Sequence, residues 1–374
     1  MKALYIHIPF CNKICTYCDF YKRVAKENLK DKYVEYLLKE LEMRKDLVGE
    51  IETIYIGGGT PSSLKISTLE TLFKGLKKHI NFSKVKEFTF EINPTDVNLP
   101  LIQLLNEYKV NRVSLGVQSL KRKKLKFLGR DHRKGDVKKA IRLLQENGIT
   151  NINADVIFGA PNEKVKSVLK DVKALNKYGV THISTYSLQL EEKTILNKLY
   201  KENKFTPISE DLDADIFKAI NSLLNEYGYV HYEVSNFARS EEFKSAHNLT
   251  YWNNEHYLGL GTAASYYIGD YRYTNINNMD KYFEAIDKNE FCYLEENDLV
   301  LGEKMFDEVI LGFRKLEGIN VNRFKEKFEK DIFEVYPVIN ELVEKGDIIF
   351  QNDYLRVPEE KIFILNSILI KFLG

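Results

Sequence analysis

Cysteine is scarce in this chain, with 4 in 374 residues, and three of them (Cys11, Cys15 and Cys18) crowd into HIPFCNKICTYCDF between His7 and Phe20. So few thiols argue against a disulfide framework. The N-terminal MKALYIHIPF also lacks the charged n-region, long apolar core and small-residue cleavage site of a secretion signal. The chain therefore reads as cytoplasmic, a compartment in which clustered thiols serve more naturally as metal ligands. No run of about eighteen apolar residues occurs, so a transmembrane segment is not expected and a peripheral membrane contact is the most the sequence permits. Net charge is nearly absent as well. With 55 Lys and Arg against 54 Asp and Glu, little field remains to attract a polyanion, and nucleic acid is not an expected partner. Solenoid repeats and low-complexity linkers are also missing.

What is present is an ordinary globular composition, 44% hydrophobic and 29% charged, in a chain long enough for one large domain and a smaller one. Six short β-rich runs recur: ALYIHI (3–8), TIYIG (53–57), EFTFEI (87–92), RVSLGV (112–117), NINADVIFG (151–159) and HISTYSLQL (182–190). Helical patterns follow them near 30–48, 67–80, 98–109, 136–147, 164–178 and 210–226. This alternation predicts an α/β fold with a parallel sheet, too short for an eight-fold barrel, and periodicity alone leaves a doubly wound order open. Beyond about residue 230 the Tyr- and Asn-rich texture predicts irregular structure with short strands. From about 297, helices followed by a hairpin around Gln351 to Asp353 predict a small α+β winged-helix-like module. The expected division is 1–230, 231–296 and 297–374.

Cys11, Cys15 and Cys18 form C-x3-C-x2-C on the loop after the first strand. A closed zinc site takes four protein ligands, and no further Cys or His follows at short spacing. Three cysteines suit a 4Fe-4S cluster that leaves one iron open. Polar residues gather where strands of a parallel, barrel-like sheet end, which is where such folds place ligands. GGGTP (57–61) follows the second strand, Glu91 the third, Gln118 the fourth, Asp155 the fifth and Ser187 the sixth, with Arg130 on the loop after the fourth. No GK[ST] follows the glycines, so a nucleoside triphosphate has little support.

The C-x3-C-x2-C spacing with Tyr17, Asp19 and Phe20 around its last cysteine resembles the radical S-adenosylmethionine (SAM) superfamily. Together with YIHIPFC, GGGTP, LGVQS, LGRDH and DVIFGAP, it is similar to the HemN/HemW group of that superfamily across essentially the whole chain. The resemblance implies a partial six-stranded (β/α)6 barrel whose Cys11, Cys15 and Cys18 hold a 4Fe-4S cluster. It also implies that Tyr5, Tyr17, Gly58, Gly59, Thr60, Glu91, Gln118, Arg130, Asp155 and, more weakly, Ser187 contact SAM.

Within the group, the porphyrinogen-oxidising branch resembles C-x3-C-x2-C-x-C and carries an N-terminal extension. Here Phe20 occupies the fourth cysteine's place, and the chain begins almost at the first strand. His247-Asn248-Leu249-Thr250-Tyr251-Trp252 matches the HNxxYW pattern of the heme-carrying branch. An imidazole can ligate heme iron, and aromatic rings offer it a flat apolar surface. Residue types alone read as a packed aromatic segment with a core histidine, and it is the resemblance that implies His247 as the heme residue, with His256 a nearby competitor. The expected partners are heme, recipient hemoproteins and a reductant protein. Cys292, between Phe291 and Tyr293, reads as a buried thiol.

Overall fold

In the computed structural model, which describes residues 1–373, the six predicted strands form β1 (Ala3–Ile8), β2 (Thr53–Gly58), β3 (Glu87–Ile92), β4 (Arg112–Gln118), β5 (Asn151–Phe158) and β6 (His182–Ser187). They lie side by side in chain order and all run parallel. That order excludes the doubly wound alternative, in which the strand order reverses.

Alternation along each strand explains the layers. Leu4, Ile6, Ile54, Ile56, Phe90, Val113, Leu115, Ile152 and Ile183 are fully buried on one face, among the apolar residues of the connecting helices. Phe73, on helix Ile66–His79, packs its ring against Phe88, Phe90 and Tyr108. The alternate positions carry Tyr5, His7, Tyr55, Glu87, Glu91, Arg112, Asn153, Asp155 and His182. Most of their buried polar atoms pair with one another, as desolvation requires, while Arg112 Nε has no partner. Asn153 donates to Ser114 Oγ at 2.9 Å, and His182 pairs through Nδ1 with Asn153 at 2.7 Å and through Nε2 with Tyr232 at 2.8 Å.

The region beyond residue 230 is more ordered than its texture suggested, because its strands extend the same sheet at both edges. β7 (Val230–Glu233) and β8 (Asn236–Ala238) form a hairpin whose β8 runs antiparallel to β6. β9 (Tyr257–Leu260) runs parallel to β1, and β10 (Ser265–Ile268), β11 (Tyr271–Asn275) and β12 (Tyr293–Asp298) follow antiparallel. The last part packs helices Leu301–Gly312, Val321–Phe328, Ile332–Val335 and Val338–Glu344 with a small sheet of β13 (Ile319–Asn320), β14 (Ile349–Gln351) and β15 (Tyr354–Arg356), in the order β13-β15-β14. The β14–β15 turn places Asn352 and Asp353 at positive φ, as a two-residue hairpin loop demands. Two short helices, Arg122–Phe127 and Ile195–Lys201, have no counterpart in the sequence expectation. Among the described residues no helix is long and apolar enough to cross a membrane.

Candidate SAM and iron-sulfur site

The loop that leaves β1 closes on itself. Cys11 N–H donates to the Arg23 carbonyl at 3.0 Å, and Arg23 N–H returns to the Pro9 carbonyl at 2.7 Å. Between these clasps, Thr16 fastens the loop to two neighbours. Its N–H and hydroxyl donate to the carbonyls of Leu128 (3.2 Å) and Phe127 (2.9 Å), while its own carbonyl accepts from Leu196 N–H at 2.8 Å. Cys11, Cys15 and Cys18 are all free thiols. Burial raises the pKa of Cys11 and pushes that of Cys18 up to about 11, with Lys22 opposing both shifts. Left alone these groups stay protonated, and a bound metal centre would displace their protons.

All three cysteines border one cavity of about 420 Å³ at the C-terminal ends of the strands. Among the described residues no three His, Cys, Asp or Glu side chains converge as ligands of a single ion would. Three thiols around one cavity instead fit a cluster in which each cysteine takes its own iron.

Every residue expected at the SAM site borders this cavity except Tyr5. Tyr5 lies deeper on β1, its hydroxyl 2.9 Å from His7 Nδ1, and His7 Nε2 reaches the Tyr21 carbonyl at 2.8 Å. Glu91 accepts from the Tyr55 hydroxyl at 2.7 Å and from Gly58 N–H at 3.3 Å. Burial raises its pKa to about 7, and the nearby Asp155 adds to the shift. Arg130 donates to Asn93 Oδ1 and to the Tyr17 hydroxyl, holding the cluster loop against the ends of β3 and β4. Gln118 ends β4 at φ 61° beside a register irregularity, a backbone conformation uncommon for a side-chain-bearing residue. Asp155 accepts from Asn153 at 2.8 Å, and Ser187 donates its hydroxyl to Asp213.

The glycines of GGGTP serve close internal packing. A Cβ on Gly57 would come within 2.7 Å of the Tyr55 ring and 2.8 Å of Glu91 Oε1, and one on Gly59 within 2.7 Å of the Phe10 carbonyl. Tyr55, Asn93, Gly116 and Tyr186 also line the cavity and were missed from sequence. Tyr55 and Gly116 share the inward strand positions of Glu91 and Asp155, so strand alternation carried a signal for them.

His247, the side chain expected to meet heme, is 1% exposed and does not border the cavity. Its Nδ1 pairs with Thr53 Oγ1 at 2.9 Å and its Nε2 with the Tyr251 hydroxyl at 2.7 Å. Both ring nitrogens are thus committed, and burial holds the pKa down at about 3. In this arrangement the imidazole is neutral, enclosed and hydrogen-bonded at both nitrogens. His256, the competitor, is exposed, with Nε2 3.0 Å from the Gly269 carbonyl. Cys292 is half-buried rather than fully enclosed.

Comparison with known proteins agrees with this geometry. Residues 5–175 match the radical SAM superfamily model, and residues 301–364 match the HemN C-terminal domain. The chain is 35% identical to the heme chaperone HemW of Lactococcus lactis over 100% of this chain and 97% of that one, and 33% identical to HemW of Bacillus subtilis over the full length of both. The structure of Escherichia coli coproporphyrinogen III oxidase (HemN), described as a radical SAM enzyme, superposes with a TM-score of 0.85 over 99% of this chain and 90% of that one. At 20% sequence identity that likeness establishes the fold. With a thiol-lined cavity at the barrel mouth and full-length relatives above 30% identity, the chain belongs to the HemW family within the radical SAM superfamily.

Proposed function

We propose that this protein binds heme and passes it to hemoproteins, respiratory enzymes among them, using a 4Fe-4S cluster and SAM held in the cavity described above. Cys11, Cys15 and Cys18 hold the cluster, which supplies one-electron chemistry at the SAM sulfonium when both are bound and a reductant protein delivers the electron. Glu91, Gln118, Arg130 and Asp155 fit SAM through their chemistry, because buried carboxylates suit its cationic groups and a buried guanidinium suits its carboxylate. The cytoplasm and a peripheral membrane contact complete the reading.

The observation that carries the heme-carrier reading is Phe20. It borders the cavity at 63% exposure, at the position where the resemblance implies a fourth cysteine in the porphyrinogen-oxidising branch. An apolar ring there offers surface to a flat macrocycle and cannot be a thiolate ligand. The runner-up, oxygen-independent oxidation of coproporphyrinogen III to protoporphyrinogen IX, draws support from the shared fold.

An anaerobic heme titration of the reconstituted protein by absorption spectroscopy, run beside a coproporphyrinogen III turnover assay on the same sample, separates the two. Stoichiometric heme uptake without decarboxylated product supports the carrier. Turnover without heme uptake supports the oxidase.

A further inference from the structure

The HNxxYW segment has a defined place in the fold, whatever its part in heme binding. Helix Ala246–Trp252 sits beneath the N-terminal ends of β2 and β3. Glu87, the first residue of β3, accepts from Ala246 N–H at 2.7 Å, His247 N–H at 3.2 Å and Ser245 Oγ at 3.3 Å. Thr53, the first residue of β2, meets His247 Nδ1.

Two residues further along the same face of β2 comes Tyr55, and its ring packs on the His247 ring with centroids 5.2 Å apart and planes tilted by 32°. The Tyr55 hydroxyl then donates to Glu91, which borders the cavity. From above, Gly57 admits the Tyr55 ring only because it has no Cβ. A continuous column thus runs from Tyr251 through His247 and Tyr55 to Glu91.

We propose that His247 is a positioning residue of the SAM site: the HNxxYW helix is the floor of the barrel, and its histidine fixes the Tyr55 ring that aims Glu91 into the cavity. This rests on the SAM part of the proposed function and is independent of where heme binds. The imidazole suits the task because it is rigid, neutral when buried, and pinned at both nitrogens.

The test compares full-length, cluster-reconstituted wild type with His247→Ala, His247→Gln and Tyr55→Phe. For each, the SAM dissociation constant, the change that SAM causes in the electron paramagnetic resonance of the reduced cluster, iron content and heme uptake are measured. His247→Ala and Tyr55→Phe should each weaken SAM about tenfold, as expected for losing or misdirecting one hydrogen bond to a buried carboxylate, and should shrink the SAM-induced spectral change at unchanged iron content. His247→Gln keeps a donor and an acceptor and should recover part of the affinity. Combining His247→Ala with Tyr55→Phe should cost little more than either alone, since both act through one contact.

Heme uptake by the wild type tests the carrier reading separately. Wild-type SAM affinity in a folded Tyr55→Phe protein would overturn the proposal even if the alanine variant fails to fold. So would normal SAM binding in a folded His247→Ala protein, whatever its heme uptake. Failure of wild type to take up heme would overturn the carrier reading and leave the SAM comparison intact.

Discussion

Arg130 donates through Nη2 to the Tyr17 hydroxyl at 3.0 Å, and this contact joins the loop after β4 to the cysteine loop after β1, two segments far apart in sequence. The same guanidinium reaches Asn93 at the end of β3, so one planar fork sets the spacing of three cavity walls. A lysine offers a single ammonium and cannot bridge both acceptors. Arg130→Lys should therefore weaken SAM by about tenfold or more while iron content stays near that of wild type, checked by equilibrium binding and iron analysis.

Thr16 is a second fastening. Thr16→Val keeps the shape and the backbone contacts but leaves the Phe127 carbonyl without its hydroxyl donor. The expected cost is about 1 kcal/mol of stability, together with faster loss of the cluster to chelator. Thr16→Ser should restore both, and thermal denaturation with a chelation time course reads them out.

Glu91 gives a pH signature. Its pKa rises from 4.5 to about 7, first through burial and then through repulsion from Asp155, while the Tyr55 hydroxyl, Gly58 N–H and Arg112 pull it down. A carboxyl raised in the folded state contributes stability that is complete below its unfolded pKa and lost as pH climbs through the folded value. The SAM-free protein should accordingly lose that contribution between pH 4.5 and about 7. Cationic SAM favours the carboxylate, so its affinity should rise through the same window, and Glu91→Gln should flatten the dependence.

Five of the seven histidines are buried, namely His7, His132, His182, His231 and His247. Of the other two, His79 faces Glu42 at 3.1 Å, whereas His256 is exposed with Nε2 on the Gly269 carbonyl. A carbonyl that fixes the tautomer leaves the other nitrogen's lone pair free for a metal. Yet His256 precedes β9, whose first residue Tyr257 pairs with Ala3 at the end of the sheet away from Phe20, so His256→Ala, like His79→Ala, should leave heme uptake and its absorption bands unchanged. A shifted spectrum in His256→Ala would place heme away from the cavity.

Stability also hangs on a buried ion pair. Lys124 donates to both oxygens of Glu163, at 2.7 and 2.8 Å, and to the Ile157 carbonyl, clamping the loop after β5. Both side chains are nearly inaccessible, so Lys124→Met leaves a buried carboxylate unpaired and should cost about 3–5 kcal/mol in denaturant unfolding. Adding Glu163→Leu should recover most of it.

The sequence by itself determined the six parallel strands, the cysteine loop and most of the cavity wall. Strand periodicity is local, C-x3-C-x2-C spacing is local, and a parallel sheet sends all its strand ends to one side, so Glu91, Gln118, Asp155 and Ser187 had to meet. Tertiary structure alone decided which side chains reach that meeting point. Tyr5 and His247 carry chemistry that suits a site, but burial depends on what packs around a residue, and both lie below the cavity floor. Short strands were expected beyond residue 230, but their place at the sheet edges was equally invisible, because β9 is fixed by pairing with β1 some 250 positions away (Ala3 to Tyr257). Local patterns thus located the chemistry, and only long-range packing separated the residues that can touch a ligand from those that hold them in place.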